Sequence, residues 1–286
     1  MIPNLNKIAL VGGRQSTDRE KYFAEVVKFL RAEKKEVFCE KNIAEILKIK
    51  AANKAKIRKA DLILVFGGDG ALLGATREFF GSEALFAGIR LDGTLGFLTE
   101  YSSENLSKLL AKFFQQNFEI AERILLEVKV KRRGKTVKIL RALNEFVIQQ
   151  KNLARLIDLD FSLDAKKIAT FHADGGILAT PTGSTAYSLS AGGPILDPNL
   201  KAFILTPINP HLLSTRPLVL PADGEIHSQI SVENLLLTAD GQKSFELKNG
   251  DELIFQKAEW ALRTIQLKNR NHFEILRKKL GWSQQG

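Results

Sequence analysis

Leu62–Phe66 is an unbroken apolar run, Leu-Ile-Leu-Val-Phe, that stops at Gly67-Gly68-Asp69-Gly70. A strand that is apolar on both faces belongs inside a sheet covered on both sides, which is the setting of parallel α/β sheets. The surrounding pattern agrees. Lys7–Val11 reads as a short strand ending in Gly12-Gly13. Thr17 stands three residues before Glu20, the spacing of a capping box. Tyr22, Phe23, Val26, Val27 and Leu30 then recur at helical spacing, predicting a helix from about Asp18 to Glu33. Glu36–Cys39 reads as a strand, and a lysine- and alanine-rich helical stretch runs to about Lys59. After the glycine turn come a second helical pattern, Ala71–Phe80, and another strand, Leu85–Ile89. This alternation predicts a parallel sheet with flanking helices.

A further helix is expected over Ser103–Gln116, and beyond Arg123 the texture changes. Short alternating segments follow: Leu125–Lys131, Thr136–Arg141, Phe146–Gln149, Leu156–Leu163, Lys166–Phe171, Ile177–Ala179 and others as far as Trp260–Leu267. Asp240-Gly241 and Asn249-Gly250 are hairpin signals. Many short strands with regular turns predict a β-rich, sandwich-like domain. Phe273, Leu276 and Leu280 place a helix in the tail. The expected division is an α/β domain over residues 1–100, joined by a tail helix within 268–286, and a β-rich domain over 101–267.

Composition removes other classes. Cys39 is the single cysteine, so neither an intramolecular disulfide nor a zinc site built from several cysteines of one chain is available. The N-terminal residues lack the pattern of a signal peptide, and there is no run of about 18 apolar residues, so a cytoplasmic protein with no membrane span is expected. The formal net charge is +10, with eleven basic and four acidic residues between Lys28 and Lys59, and seven basic and no acidic residues between Lys129 and Arg141. Such a surface attracts polyanions. No nucleic-acid-binding signature accompanies it, and solvated basic faces or phosphorylated small molecules account for it without nucleic acid.

Three segments carry candidate chemistry. Gly67, Gly68 and Gly70 offer backbone N–H groups beyond the carboxyl end of a strand and before a helix, a phosphate-binding arrangement. Asp69 puts a carboxylate among them; beside a phosphate that needs a metal or a proton-accepting task. A tight turn with a helix-capping Asp is the plainer reading. The second segment is Thr180–Pro194, rich in small and hydroxylic residues able to hold ribose and phosphate oxygens, or else a simple connector. The third is Asn144-Glu145, an amide and a carboxylate before a strand, able to read the donors and acceptors of a nucleoside. Gly134-Lys135-Thr136 mimics the end of a P-loop, but Lys129 stands at the first glycine. G-x-G-x-x-G and G-x-S-x-G are absent, and His172, His211, His227 and His272 show no ligand spacing.

Together these residues resemble the NAD kinase family. The resemblance rests on Gly67–Gly70, on Gly93-Thr94-Leu95-Gly96-Phe97-Leu98-Thr99, on Asn144-Glu145 and on Thr180–Pro194, over nearly the whole chain. Gly-Gly-Asp-Gly alone is shared with lipid kinases and phosphofructokinases; Thr-Pro-Thr-Gly-Ser-Thr-Ala-Tyr is more specific. The resemblance implies transfer of the γ-phosphate of ATP, or of polyphosphate in its place, to the 2′-hydroxyl of the adenosine ribose of NAD, giving NADP. It makes Asp69 the catalytic base. Asp69, Gly70, Asn144, Glu145, Arg155, His172, Asp174 and Gln242 become nucleotide-binding residues, with Thr185, Ala186, Tyr187, Ser188, Leu189 and Ser190 lining the pocket. It implies a divalent cation, Mg²⁺ or Mn²⁺, bridged through the ATP phosphates without a dedicated protein cage, a tail helix returning to the first domain, and a homo-oligomer, dimer or tetramer. The chain departs from the family pattern in the extra residue within Arg90-Leu91-Asp92, in Gly74 and in His172. A lipid kinase and a non-enzymatic nucleotide-binding protein are the alternatives.

Overall fold

The computed structural model describes residues 4–13, 19–91, 96–99, 101–151, 156–268 and 271–282. The chain forms two compact units, one of residues 1–121 with 263–286 and one of residues 122–262.

In the first unit the elements are β1 (Lys7–Gly12), α1 (Glu20–Ala32), β2 (Glu36–Cys39), α2 (Lys41–Ile46), α3 (Lys54–Arg58), β3 (Leu62–Phe66), α4 (Asp69–Glu78), β4 (Leu85–Arg90), β5 (Tyr101–Ser102), α5 (Leu106–Phe114) and β6 (Phe118–Arg123). The second unit adds β7 (Leu126–Arg132), β8 (Lys135–Ala142), β9 (Glu145–Gln150), β10 (Ile157–Leu163), β11 (Lys166–Ala173), β12 (Gly175–Ala179), α6 (Tyr187–Ser190), β13 (Ala202–Ile208), β14 (Leu218–Pro221), β15 (Ile226–Gln229), β16 (Leu235–Ala239), β17 (Lys243–Leu247) and β18 (Glu252–Lys257). The chain closes with β19 (Leu262–Leu267) and α7 (His272–Leu280).

The first sheet runs β2-β1-β3-β4-β19-β6, with β5 beside β4. β1, β3 and β4 pair in parallel, and every residue of β3 is buried, as its composition demands. α1 buries Phe23, Val26, Val27 and Leu30 against this sheet's core. The expected strands at Glu36–Cys39 and Leu62–Phe66 form with those bounds. The lysine-rich stretch is two short helices, α2 and α3, separated near Lys48, whose φ is 54°. Thr17 of the expected capping box lies outside the described residues; α1 starts after Arg19, which makes no side-chain cap. The expected helix over Ser103–Gln116 is a 3₁₀ turn followed by α5.

The contacts divide the chain after residue 121, not after residue 100. β6 and β19 are both strands of the first sheet, which draws α5 and the segment after Arg263 into the first unit. β6 was not anticipated, because its exposed Glu119 and Glu122 break the apolar run. β19 pairs with β4 through Thr264 and Phe86, a contact no local pattern announces.

The second unit holds two six-stranded sheets, β11-β10-β15-β18-β7-β8 and β14-β13-β12-β9-β16-β17. Their inward residues, among them Val128, Phe161, Phe255, Phe146, Leu205 and Leu237, form one core, the sandwich the alternation predicts. β9, β12 and β13 are apolar on their second face too. There Val147, Ile177, Ala179 and Ile204 pack with Ala191 and Leu196 of the segment that follows β12. Asp240 and Gly241 take φ of 49° and 63° in a tight turn between β16 and β17. Asn249-Gly250 also turns the chain, but it carries it from one sheet to the other, because β17 and β18 pair in different sheets.

Candidate active site

Asp69 is the first residue of α4, and Gly68 is its N-cap. The carboxylate is held by four donors from one short loop. Oδ1 accepts from Thr99 Oγ1 at 2.7 Å, Thr99 N–H at 2.9 Å and Leu98 N–H at 3.2 Å, and Oδ2 accepts from Phe97 N–H at 2.9 Å. Gly96 explains the close fit: a Cβ there would stand 2.0 Å from Asp69 Oδ1. The loop closes on itself through Gly96 N–H to Thr99 O, and Gly88 of β4 leaves room for Thr99, which a Cβ would meet at 2.7 Å. Gly67 takes φ of +145° and donates its N–H to Ile89 O, tying the glycine turn to the end of β4. A carboxylate at a helix N-terminus is favoured by the helix dipole. Here it is also fixed in orientation, and Oδ2, with one donor, keeps capacity to accept another.

The second unit prepares its carboxylate differently. Glu145 opens β9 and is 5% exposed. Asp240, 6% exposed, accepts the backbone N–H groups of Leu143, Asn144 and Glu145 at 3.3, 2.8 and 3.4 Å, and so pins Asn144-Glu145 in place. Burial, and then the neighbouring Asp240 charge, push the Glu145 carboxyl up to about 7, against a smaller opposing effect of the Tyr187 N–H that it accepts. Three buried side-chain oxygens here have no hydrogen-bond partner: Asn144 Oδ1, Glu145 Oε2 and Thr182 Oγ1. Buried polar groups are nearly always paired, so these three oxygens leave hydrogen-bonding capacity that a ligand's donors would meet.

The hydroxyl-rich segment after β12 divides its work. Thr180 donates its N–H to Asn144 O and its hydroxyl to Leu143 O. Ser184 Oγ donates to Pro181 O and accepts from Leu196 N–H, and Ser188 Oγ pairs with Thr206 Oγ1 at 3.0 Å. These buried hydroxyls make hydrogen bonds within the protein that shape the segment. Ser188, expected to line a pocket, has its side chain fully buried and bonded to Thr206. Gly183 lies against the Asn144 backbone, where a Cβ would come within 2.2 Å of Asn144 O. Thr185, Ala186 and Leu189 are half-buried, while Tyr187 and Ser190 are exposed.

His172 and Asp174 are exposed where the chain leaves β11 for β12. His172 Nδ1 lies 2.7 Å from Asp158 Oδ1, its ring meets His211 edge-on at 5.6 Å, and Asp174 Oδ2 accepts from Asn209 Nδ2. Gln242 is exposed at the β16–β17 turn, whose Gln242 N–H donates to Ala239 O. Arg155 lies outside the described residues. No group of three or more His, Cys, Asp or Glu side chains among the described residues is arranged to hold a metal ion. No helix among the described residues is long and apolar enough to cross a membrane. The contacts of Asp240, Gly96, Asp158 and His211 with the candidate residues were not anticipated. Asp240 carried only a turn signal, and the other three matter through contacts made across the fold.

The comparisons with known proteins converge. Residues 9–118 match the ATP-NAD kinase N-terminal domain and residues 143–267 the ATP-NAD kinase C-terminal domain. A NAD kinase from Syntrophotalea carbinolica is 40% identical over 267 residues, 91% of this chain and 93% of that one. One from Geotalea daltonii is 42% identical over 79% of this chain and 80% of its own. Among solved structures, yeast NADH kinase complexed with NADH superposes with a TM-score of 0.90 at 26% identity, covering 99% of this chain and 89% of that one. A NAD kinase from Archaeoglobus fulgidus in complex with ATP gives 0.76 at 27% identity, covering 96% and 98%. The fold and the family matches are those of a phosphotransferase that acts on an alcohol. The chain belongs to the NAD kinase family.

Proposed function

We propose that this NAD kinase takes the γ-phosphoryl group of ATP, presented with a divalent cation, and transfers it to the 2′-hydroxyl of the adenosine ribose of NAD, yielding NADP. The observation that carries the substrate reading is the set of unpaired buried oxygens on Asn144, Glu145 and Thr182. They suit a polar nucleoside rich in hydroxyl and amine donors, and they would be poor company for a lipid. That the yeast NADH kinase structure was obtained with NADH and the archaeal one with ATP supports the same pair of substrates.

Asp69 orients the acceptor hydroxyl through Oδ2 and takes its proton as the new bond forms. The hydroxyl need not be ionised early, because phosphoryl transfer passes through a loose transition state. The glycine turn brings backbone close to the donor phosphates. A divalent cation would accompany those phosphates as part of the donor and offset their charge. Asn144 and Glu145 hold the dinucleotide, and a ribose or base donor on Glu145 Oε2 relieves its burial. The decisive experiment is NADP formation from NAD, ATP and Mg²⁺, read with an NADP-specific dehydrogenase, with Asp69→Asn as control. Product that needs ATP and metal and disappears in the control establishes the reading; no product from folded protein, with ATP or polyphosphate, rejects it. A dimer or tetramer belongs to the same proposal. The exposed Leu213 and Val219, the latter on the edge strand β14, support it, and light scattering on the purified protein tests it.

A further inference from the structure

We infer that Arg90 is the cation that this chain sets over the Gly67-Gly68-Asp69-Gly70 turn to hold the transferring phosphoryl group. The inference rests on the kinase reading above and adds to it a residue that the motifs do not assign. Arg90 is the last residue of β4 and is half-buried. Its guanidinium lies over Gly68: a Cβ built on that glycine would stand 3.3 Å from Arg90 Nη1 and 3.8 Å from Cζ.

The placement is fixed by backbone. Gly67 N–H donates to Ile89 O at 2.9 Å, so the turn is bonded to the residue just before Arg90. Thr99, which holds Asp69, packs on Gly88 two residues further back. The end of β4 therefore positions three things together: the glycine turn, the loop that grips Asp69, and a guanidinium.

The charges require such a group. The donor's terminal phosphate is anionic, and a reaction at Asp69 brings it towards a second anion. A planar guanidinium with five donors can grip two phosphate oxygens at once, and its positive charge offsets the repulsion. In the step itself, the 2′-oxygen forms a bond to Pγ while the bond from Pγ to the β,γ-bridging oxygen breaks. The bridging oxygen leaves on ADP with the electron pair, and the hydroxyl proton passes to Asp69 and then to solvent. Arg90 follows the equatorial oxygens of the phosphoryl group throughout, where a cation favours the transition state over the ground state.

The test is steady-state kinetics of NADP formation by the full-length wild type, Arg90→Ala, Arg90→Lys and Asp69→Asn, with ATP and NAD varied separately and thermal midpoints recorded. The expected result for Arg90→Ala is a fall of about 10²–10³-fold in kcat/KM for ATP with the KM for NAD held within about threefold. Arg90→Lys restores only a small part, because an ammonium cannot form the two-pronged grip. Millimolar guanidinium restores turnover to Arg90→Ala and does nothing for Asp69→Asn. An Arg90→Ala protein that keeps near wild-type kcat/KM, or one whose deficit guanidinium does not relieve, overturns the inference while leaving an active kinase. An inactive wild type overturns the kinase reading and this inference with it.

Discussion

Asp69 and Glu145 are both acidic side chains, and the two units treat them in opposite ways. Asp69 receives four hydrogen bonds from residues 97–99. Glu145 is buried beside Asp240 with Oε2 unpaired. The first is aimed before any ligand arrives. The second is buried at a cost that a bound proton or a partner with hydrogen-bond donors lowers. A group that must direct one proton benefits from fixed orientation. A group that must recognise a ligand benefits from unmet hydrogen-bonding capacity, because a ligand lacking the matching donor leaves it unpaired.

The largest break in this contrast comes from removing the fixed carboxylate. Asp69→Asn lowers kcat by about 10²–10⁴-fold with the NAD affinity kept within a few-fold, measured by turnover and by titration calorimetry. Gly96→Ala leaves Asp69 in the chain but puts a methyl group where a Cβ would lie 2.0 Å from its Oδ1. About 10²-fold of kcat goes with the lost orientation, with secondary structure by circular dichroism unchanged. If Gly96→Ala turns over normally, the grip on Asp69 has no catalytic use.

Glu145→Gln sharpens the other half. Its KM for NAD rises about tenfold, the equivalent of one hydrogen bond of about 1.4 kcal/mol. Its stability moves in the opposite direction. The folded protein keeps a proton on Glu145 up to about pH 7, whereas the unfolded chain releases it near 4.5. Wild-type stability is therefore fully present below about pH 4.5 and is lost as pH rises through about 7. The loss is of order 3 kcal/mol for a shift this large. Thermal melts of unliganded protein at pH 5 and pH 8 should show this fall in the wild type and not in Glu145→Gln; equal pH dependence in both would place the cause elsewhere. The smallest effect is expected from Asp240→Asn, which keeps one acceptor for the backbone N–H groups at Leu143–Glu145 and tolerates the φ of 49°. A destabilisation of about 1 kcal/mol, read by urea unfolding, goes with a KM for NAD raised severalfold.

The basic run from Lys129 to Arg141 shows how the fold qualifies what a sequence suggests. It forms the hairpin of β7 and β8, in which Arg132 binds Asp251 in two places and Arg141 pairs with Glu127. Part of the apparent excess is thus compensated within the sheet, by Glu127 of the same hairpin and by Asp251 from far along the chain. Cys39 is buried, with its thiol pushed up to about 11 by that burial, so it is a packing residue and not a nucleophile.

Much of the fold was legible where local chemistry is decisive. Leu62–Phe66 had to be an inner parallel strand, and the alternation of Leu126, Val128 and Val130 had to face a core. β6 escaped notice because an edge strand tolerates charge on its open face. The domain limit escaped because β19 joins its sheet from the far end of the chain. Among the candidate site residues, Asp69 and Asn144-Glu145 stood out by type and position. The reason Gly96 is glycine, the anchoring role of Asp240 and the inward commitment of Ser184 and Ser188 did not.

The sequence alone determined the alternation of elements, the glycine turn at the end of a buried strand and the identity of the family, because each depends on residues that are neighbours in the chain. Tertiary structure decided what each carboxylate can do. Hydrogen bonds reaching from residues 97–99 back to residue 69 aim one of them. A charge brought to residue 145 from residue 240, together with exclusion of water, primes the other. Orientation and desolvation are properties of the space around a group, and only folding creates that space.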